Sequence, residues 1–106
     1  MRSVFRNIQV LVVAAAGLSG SWAVAADANH GADLAKRWCS SCHLVDAAQK
    51  RADADVPTFT AIASESDFTP EKVAFFLLDP HPKMPNFSLN RYEAADLAAY
   101  ISSLRK

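Results

Sequence analysis

Apolar residues recur along this chain at helical spacing, and no alternating stretch is long enough to make a useful strand. Gly31, Leu34, Ala35, Trp38 and Cys42 stand at i, i+3, i+4, i+7 and i+11, with Asp33, Lys36 and Arg37 between them, which predicts an amphipathic first helix. A polar connector from Asp46 to Asp55 ends at Val56-Pro57, and Thr58 to Ser66 has room for a short helix. Thr69-Pro70-Glu71 starts another: a hydroxyl at the N-cap, proline at the first position, an acid in the first turn. Val73, Phe76 and Leu77 are its expected apolar face, and Asp79-Pro80 stops it, because a residue before proline is pushed out of the helical region. Pro80, Pro82 and Pro85 mark residues 80–89 as an extended loop of restricted backbone. Asn90 caps a last helix, Glu93 stands where it can bond back to that cap, and Leu97, Tyr100, Ile101 and Leu104 form the buried stripe. The expected fold is all-α, three main helices plus a short one, without internal repeats.

The first residues follow a different pattern. Arg2 and Arg6 make a positive start, Ile8 to Leu18 is apolar but for Gln9, and Gly17, Gly20 and Ser21 lead to Ala23-Val24-Ala25-Ala26. That order reads as a secretory signal, with cleavage expected after Ala25 or Ala26 and a periplasmic mature protein. The apolar run is 11 residues, against the roughly 20 needed to cross a bilayer. An uncleaved anchor is the lesser alternative, and no membrane span is expected in the mature chain. The division is thus residues 1–26 as signal and 27–106 as one domain.

Composition sharpens this picture once the leader is set aside. The chain has 106 residues, which leaves no room for a second domain, a solenoid or a large ligand-enclosing barrel. Its charges balance without blocks of one sign, so no nucleic-acid partner is expected. Removing 26 residues leaves 80, which keep all eleven acidic residues but lose two arginines, for a side-chain charge of −2. Eighty residues make a marginal core that ordinarily needs a staple. The only two cysteines, Cys39 and Cys42, are three apart, so a disulfide between them would restrain little.

The chemistry concentrates at Cys39-Ser40-Ser41-Cys42-His43. On a helix, residues three and four apart share a side, which groups Cys39, Cys42 and His43. Two thiols can add to the two vinyl groups of a haem while the adjacent imidazole binds the iron, and C-x-x-C-H is the signature of such attachment. A bare disulfide leaves His43 and the missing core unexplained. A zinc site would want four ligands from separated pairs. Trp38-Cys39-Ser40-Ser41-Cys42 also resembles a thioredoxin active site, with Val56-Pro57-Thr58 as its proline loop. That fold is excluded, because the preceding residues have helical period and a βαβ unit needs about 30 residues.

A haem iron held by one histidine takes a second ligand or keeps an open site. Met84 is the only methionine after the leader and sits between Lys83 and Pro85 in the proline-rich loop, which makes it the expected distal ligand. His81 is the competing candidate, with a solvated loop histidine as its simpler reading. His30, near the start of the first helix, is expected to be exposed. The carbonyl of Pro57 is expected to accept a hydrogen bond from the second ring nitrogen of His43, which would fix the imidazole and raise its basicity.

With these landmarks in order, the chain resembles the class I cytochromes c, small monohaem electron carriers related to mitochondrial cytochrome c. The resemblance covers the mature chain through Cys39-Ser40-Ser41-Cys42-His43, Pro57, Met84-Pro85 and the final helix with Leu97 and Tyr100. It implies the cytochrome c fold around one haem c attached through two thioethers, with His43 and Met84 as axial ligands. It also implies a non-enzymatic, monomeric one-electron carrier that docks weakly on redox protein partners. By the same likeness Gly31 marks where the first helix crosses the last, with Tyr100 nearby. One departure stands out: Ala35 occupies the place, four residues before Cys39, where the family often has an aromatic, and Trp38 is the residue expected to fill that volume. Two other functions stay open on the residues alone. One is a haem sensor or enzyme with an open or labile sixth site. The other is an electron-relay subunit of a larger oxidoreductase.

Overall fold

The computed structural model describes residues 25–53, 55–79 and 83–106. Most of the expected leader, and the alternative ligand His81 with Pro80 and Pro82, lie outside the described residues. Among the described residues there are four helices: α1 (Ala28–Trp38), α2 (Phe59–Ala63), α3 (Pro70–Leu78) and α4 (Arg91–Ser103). No strand occurs among the described residues, and the fold is all-α, as expected.

Each helix starts on a side-chain cap that satisfies one of its free N–H groups. Asp27 accepts from the His30 N–H of α1 at 3.1 Å, Thr58 from Ala61 at 3.0 Å and Thr69 from Lys72 at 3.1 Å. In α4 the capping box closes in both directions: the Glu93 N–H donates to Asn90 Oδ1 at 2.8 Å, and the Asn90 N–H donates to Glu93 Oε1 at 3.0 Å.

Helix α4 is the element on which α1, α2 and α3 all pack. Leu34 and Ala35 of α1, Phe59 and Ala63 of α2, and Leu97 and Ile101 of α4 make the core together with Cys39 and Val45, while Val73 and Leu77 of α3, Tyr100 and Leu104 pack against it half-buried. The expected apolar face of α3 needs one correction. Val73 and Leu77, four apart, form the packed stripe; Phe76 is 52% exposed and Phe75 74%. Consecutive helical residues are about 100° apart, so a stripe through 73 and 77 rotates Phe76 away from it.

The crossing of α1 and α4 needs a glycine. Gly31 is buried, and a Cβ there would fall onto the Asp96 carbonyl oxygen, 2.5 Å from the carbonyl carbon and 2.9 Å from Tyr100 Cβ. Beside this contact the two helices are also tied electrostatically. Asp96 accepts from the backbone N–H of Asp27 at 2.7 Å through Oδ1, and its Oδ2 lies 2.7 Å from His30 Nδ1. His30 is therefore exposed, as expected, but it is paired across the helix crossing.

The hydrogen bond to Asp96 raises the His30 pKa above its ordinary 6.5, opposed by desolvation and assisted by the charges of Asp96, Asp27 and Asp33. A folded-state pKa above the unfolded one means that this contact contributes fully below about pH 6.5 and fades as the pH rises through the raised value. His30→Gln should accordingly lower the thermal midpoint more at about pH 5.5 than at about pH 9. Equal losses at both pH values, measured by thermal denaturation of the two proteins, would show that the ring carries no charge in this contact.

Candidate functional site

The helical pattern that runs on to Cys42 stops earlier in space: α1 ends at Trp38, and Cys39 is its C-cap. Cys39, Cys42 and His43 are thus held by a turn rather than by the body of the helix. The N–H groups of Cys42 and His43 both donate to Cys39 O, at 3.2 and 2.9 Å. Serines cause part of the change, since hydroxyls compete for backbone partners: Ser40 Oγ donates to Lys36 O at 2.6 Å. The remaining cause lies downstream. Gln49 Nε2 lies 2.7 Å from the carbonyl oxygen of Ser40, 2.9 Å from that of His43 and 2.8 Å from that of Arg51, sharing its two hydrogens among them, while its Oε1 accepts from the Val45 N–H at 3.0 Å. The Asp53 N–H takes the Ser41 carbonyl at 2.9 Å. Carbonyls bonded to Gln49 and Asp53 are oriented by those partners, and the chain leaves the helical path.

Within that turn the two thiols differ. Cys39 belongs to the buried core and Cys42 is exposed; neither is in a disulfide. Burial, with a smaller contribution from Cys42, pushes the Cys39 thiol up to about 11. A thiol so raised stays protonated near neutrality, which disfavours the thiolate that disulfide exchange would require. Among the described residues no group of three or more His, Cys, Asp or Glu side chains is gathered to hold a metal ion.

His43 is half-buried, and its Nδ1 lies 2.7 Å from the Pro57 carbonyl oxygen. A carbonyl only accepts, so Nδ1 bears the hydrogen, and in the neutral ring that tautomer leaves the lone pair on Nε2, the form that a metal-binding imidazole needs. The ring also leans on Phe59, with centroids 5.3 Å apart and planes at 49°, and Phe59 in turn packs on Tyr100 at 6.5 Å. Tyr100 closes the circuit by donating its hydroxyl to Val45 O at 2.5 Å, which joins α4 to the segment following His43. Burial, aided by Asp46, raises the Tyr100 pKa, so this hydroxyl remains a donor.

Met84 is half-buried in the loop between α3 and α4, whose described part begins at Lys83. Three residues on, Phe87 stacks on Trp38, the neighbour of Cys39, with centroids 6.3 Å apart and planes within 9°. Ala35 is fully buried, and Trp38, half-buried against the same core, also reaches the Met84 loop.

Gln49, Phe59 and Phe87 support the site without standing out in the helical pattern. For Gln49 one signal was present: Asp46 opens an Asx turn, accepting from the N–H groups of Ala48 and Gln49 at 2.9 and 2.8 Å, and Asp-Ala-Ala-Gln is a readable turn pattern. Nothing local marked Phe59 or Phe87 as neighbours of the site.

These residues suit a large, flat, apolar group with two points of attachment. Two free thiols and an imidazole with an available Nε2 share one turn. Val56, beside Pro57, and Phe75, Phe76 and Leu78 of α3 stay exposed in a domain with little apolar surface to spare. A small helical domain with this turn defines a class, the small c-type cytochromes. The family described as cytochrome c oxidase, cbb3-type, subunit III matches residues 26–101, and the chain belongs to that cytochrome c family. Over 96 residues it is 62% identical to cytochrome c-552 of Bradyrhizobium diazoefficiens, covering 91% of this chain and 92% of that protein. No solved structure matches the chain. The protein is accordingly a haem c electron carrier, and its working partners are other redox proteins.

Proposed function

We propose that this protein is an exported, periplasmic, non-enzymatic carrier whose single haem c is bound through Cys39 and Cys42, with His43 and Met84 as axial ligands. The observation that carries the reading is the His43 imidazole, oriented by Pro57 and Phe59 within the hydrogen-bonded turn that holds both cysteines. Haem c supplies a one-electron couple whose iron changes charge without bonds being made or broken.

The chain's own residues do the rest. Pro57 fixes the tautomer and direction of His43 and raises the basicity of Nε2. Gln49 holds the carbonyls on either side of Cys42, so the turn keeps its shape in both redox states. A rigid surround of this kind keeps reorganisation small when the iron charge changes. Val56, Phe75, Phe76 and Leu78 offer apolar cover that would exclude water. Met84 would fill the remaining axial position with a neutral sulfur. Docking on partners is weak and of small area, as redox encounters are, and the carrier is monomeric.

Residues 1–26 are read as the export signal. No helix among the described residues is long and apolar enough to cross a membrane. Protein released from the periplasm by osmotic shock should begin at Ala26 or Asp27, and its reduced absorption spectrum should not change when carbon monoxide is added. An N-terminus that retains Arg2 in a membrane fraction would support an anchor instead. Rapid carbon monoxide binding by the wild-type protein would replace the carrier with a haem sensor or enzyme.

A further inference from the structure

Lys83 to Leu89 carries Met84 from α3 back to α4, and two independent features hold it in shape. The first is local. The Ser88 N–H donates to Asn86 Oδ1 at 2.9 Å, and Ser88 itself has a φ of 53°. A serine in the left-handed region is unfavourable alone and persists where its surroundings hold it there. The second feature is the long-range one. Phe87, between Asn86 and Ser88, lies parallel to the indole of Trp38, with centroids 6.3 Å apart and planes within 9°. That geometry is an offset stack, an attractive arrangement of two ring quadrupoles. The indole is itself well anchored: Trp38 ends α1, packs against the core and has the Arg37 guanidinium carbon 5.9 Å from its ring centre.

From Phe87 back to Met84 is three residues, a span of at most about 10 Å of fully extended chain. Pro85 lies inside that span and restricts it further. Fixing Phe87 against Trp38 therefore confines Met84 to a small volume near the Cys39 end of α1.

We propose that Trp38 and Phe87 form an aromatic latch that holds the Met84 loop against the attachment turn, making both of them positioning residues for the axial sulfur. The proposal rests on the reading of Met84 as distal ligand. An opening that swings this loop as a whole away from α1 separates the two rings. The latch thus governs how often the sixth position opens, while the sulfur itself sets what fills that position when the loop is closed.

The test uses ferric holoprotein and imidazole as an external ligand, whose uptake requires the sulfur to leave. Phe87→Leu keeps apolar volume but loses the ring; Phe87→Tyr keeps the ring. Phe87→Leu should take up imidazole about tenfold faster than wild type, equivalent to about 1.4 kcal/mol. Phe87→Tyr should match wild type, and both should keep the weak red sulfur-to-iron band in the absence of imidazole. A merely structural Phe87 would lower the denaturation midpoint of the leucine variant and leave its imidazole rate unchanged. That result, in a wild type that shows the band, overturns the latch alone. A wild type without the band overturns the Met84 reading, and the latch with it.

Discussion

Met84→Ala should lower the reduction potential, abolish the sulfur-to-iron charge-transfer band of the ferric protein and open the reduced iron to carbon monoxide. A thioether is neutral and soft, so it stabilises the less charged ferrous state; its loss favours ferric iron. The expected fall in potential is on the order of a tenth of a volt or more, within the roughly 0.8 V range over which axial ligands tune haem proteins. His81→Ala should do none of this. The pair of variants separates the two candidate ligands, because only loss of the true ligand opens the iron. If wild type lacks the band, and the histidine variant opens the reduced iron to carbon monoxide while the methionine variant does not, the carrier is bis-histidine.

Gly31→Ala should have the largest effect on stability. Alanine is the better helix former by about 1 kcal/mol, so an exposed glycine in α1 would gain from the change. Here the added methyl meets the Asp96 carbonyl group and Tyr100 Cβ, none of which is the yielding end of a flexible side chain. Relief requires α1 and α4 to move apart, which unpacks Leu34, Leu97 and Ile101 and strains the Asp96 contacts with Asp27 and His30. Overpacking of this kind costs about 3 kcal/mol, leaving a net loss of about 2 kcal/mol. In a domain of this size that lowers the thermal midpoint by about 8–16 °C. A midpoint that is unchanged or raised would mean that the helices do not meet at Gly31.

The same glycine shows how much of the fold could be read in advance. A lone glycine on the inner face of α1 signals a close approach, and local cap chemistry marks the starts of α3 and α4 at Thr69 and Asn90. The cap signals lie within three or four residues of what they control. The end of α1 does not. Trp38 is its last residue because Gln49 and Asp53, ten or so positions later, take the carbonyls of the attachment turn. The exposure of Phe76 likewise depends on how α3 is rotated against α4, a choice that the helical period alone leaves between neighbouring faces. His30 and Asp96 are 66 residues apart, and periodicity carries no information about such a pair. At the site, the spacing of Cys39, Cys42 and His43 carried the chemistry by itself, and the carbonyl of Pro57 lies within hydrogen-bond distance of the ring. The aromatic contacts of Phe59 and Phe87 appear only when the chain is folded, since nothing in their own segments points to a partner.

Covalent attachment of haem through Cys39 and Cys42 is the claim on which the rest depends, and intact mass spectrometry tests it directly. Denatured protein from a host competent in haem attachment, extracted with acidified organic solvent, should keep the mass of the processed chain plus one haem. A Cys39→Ser, Cys42→Ser double variant should lose that added mass. Wild-type protein at the bare mass of the polypeptide after the same extraction would contradict the account.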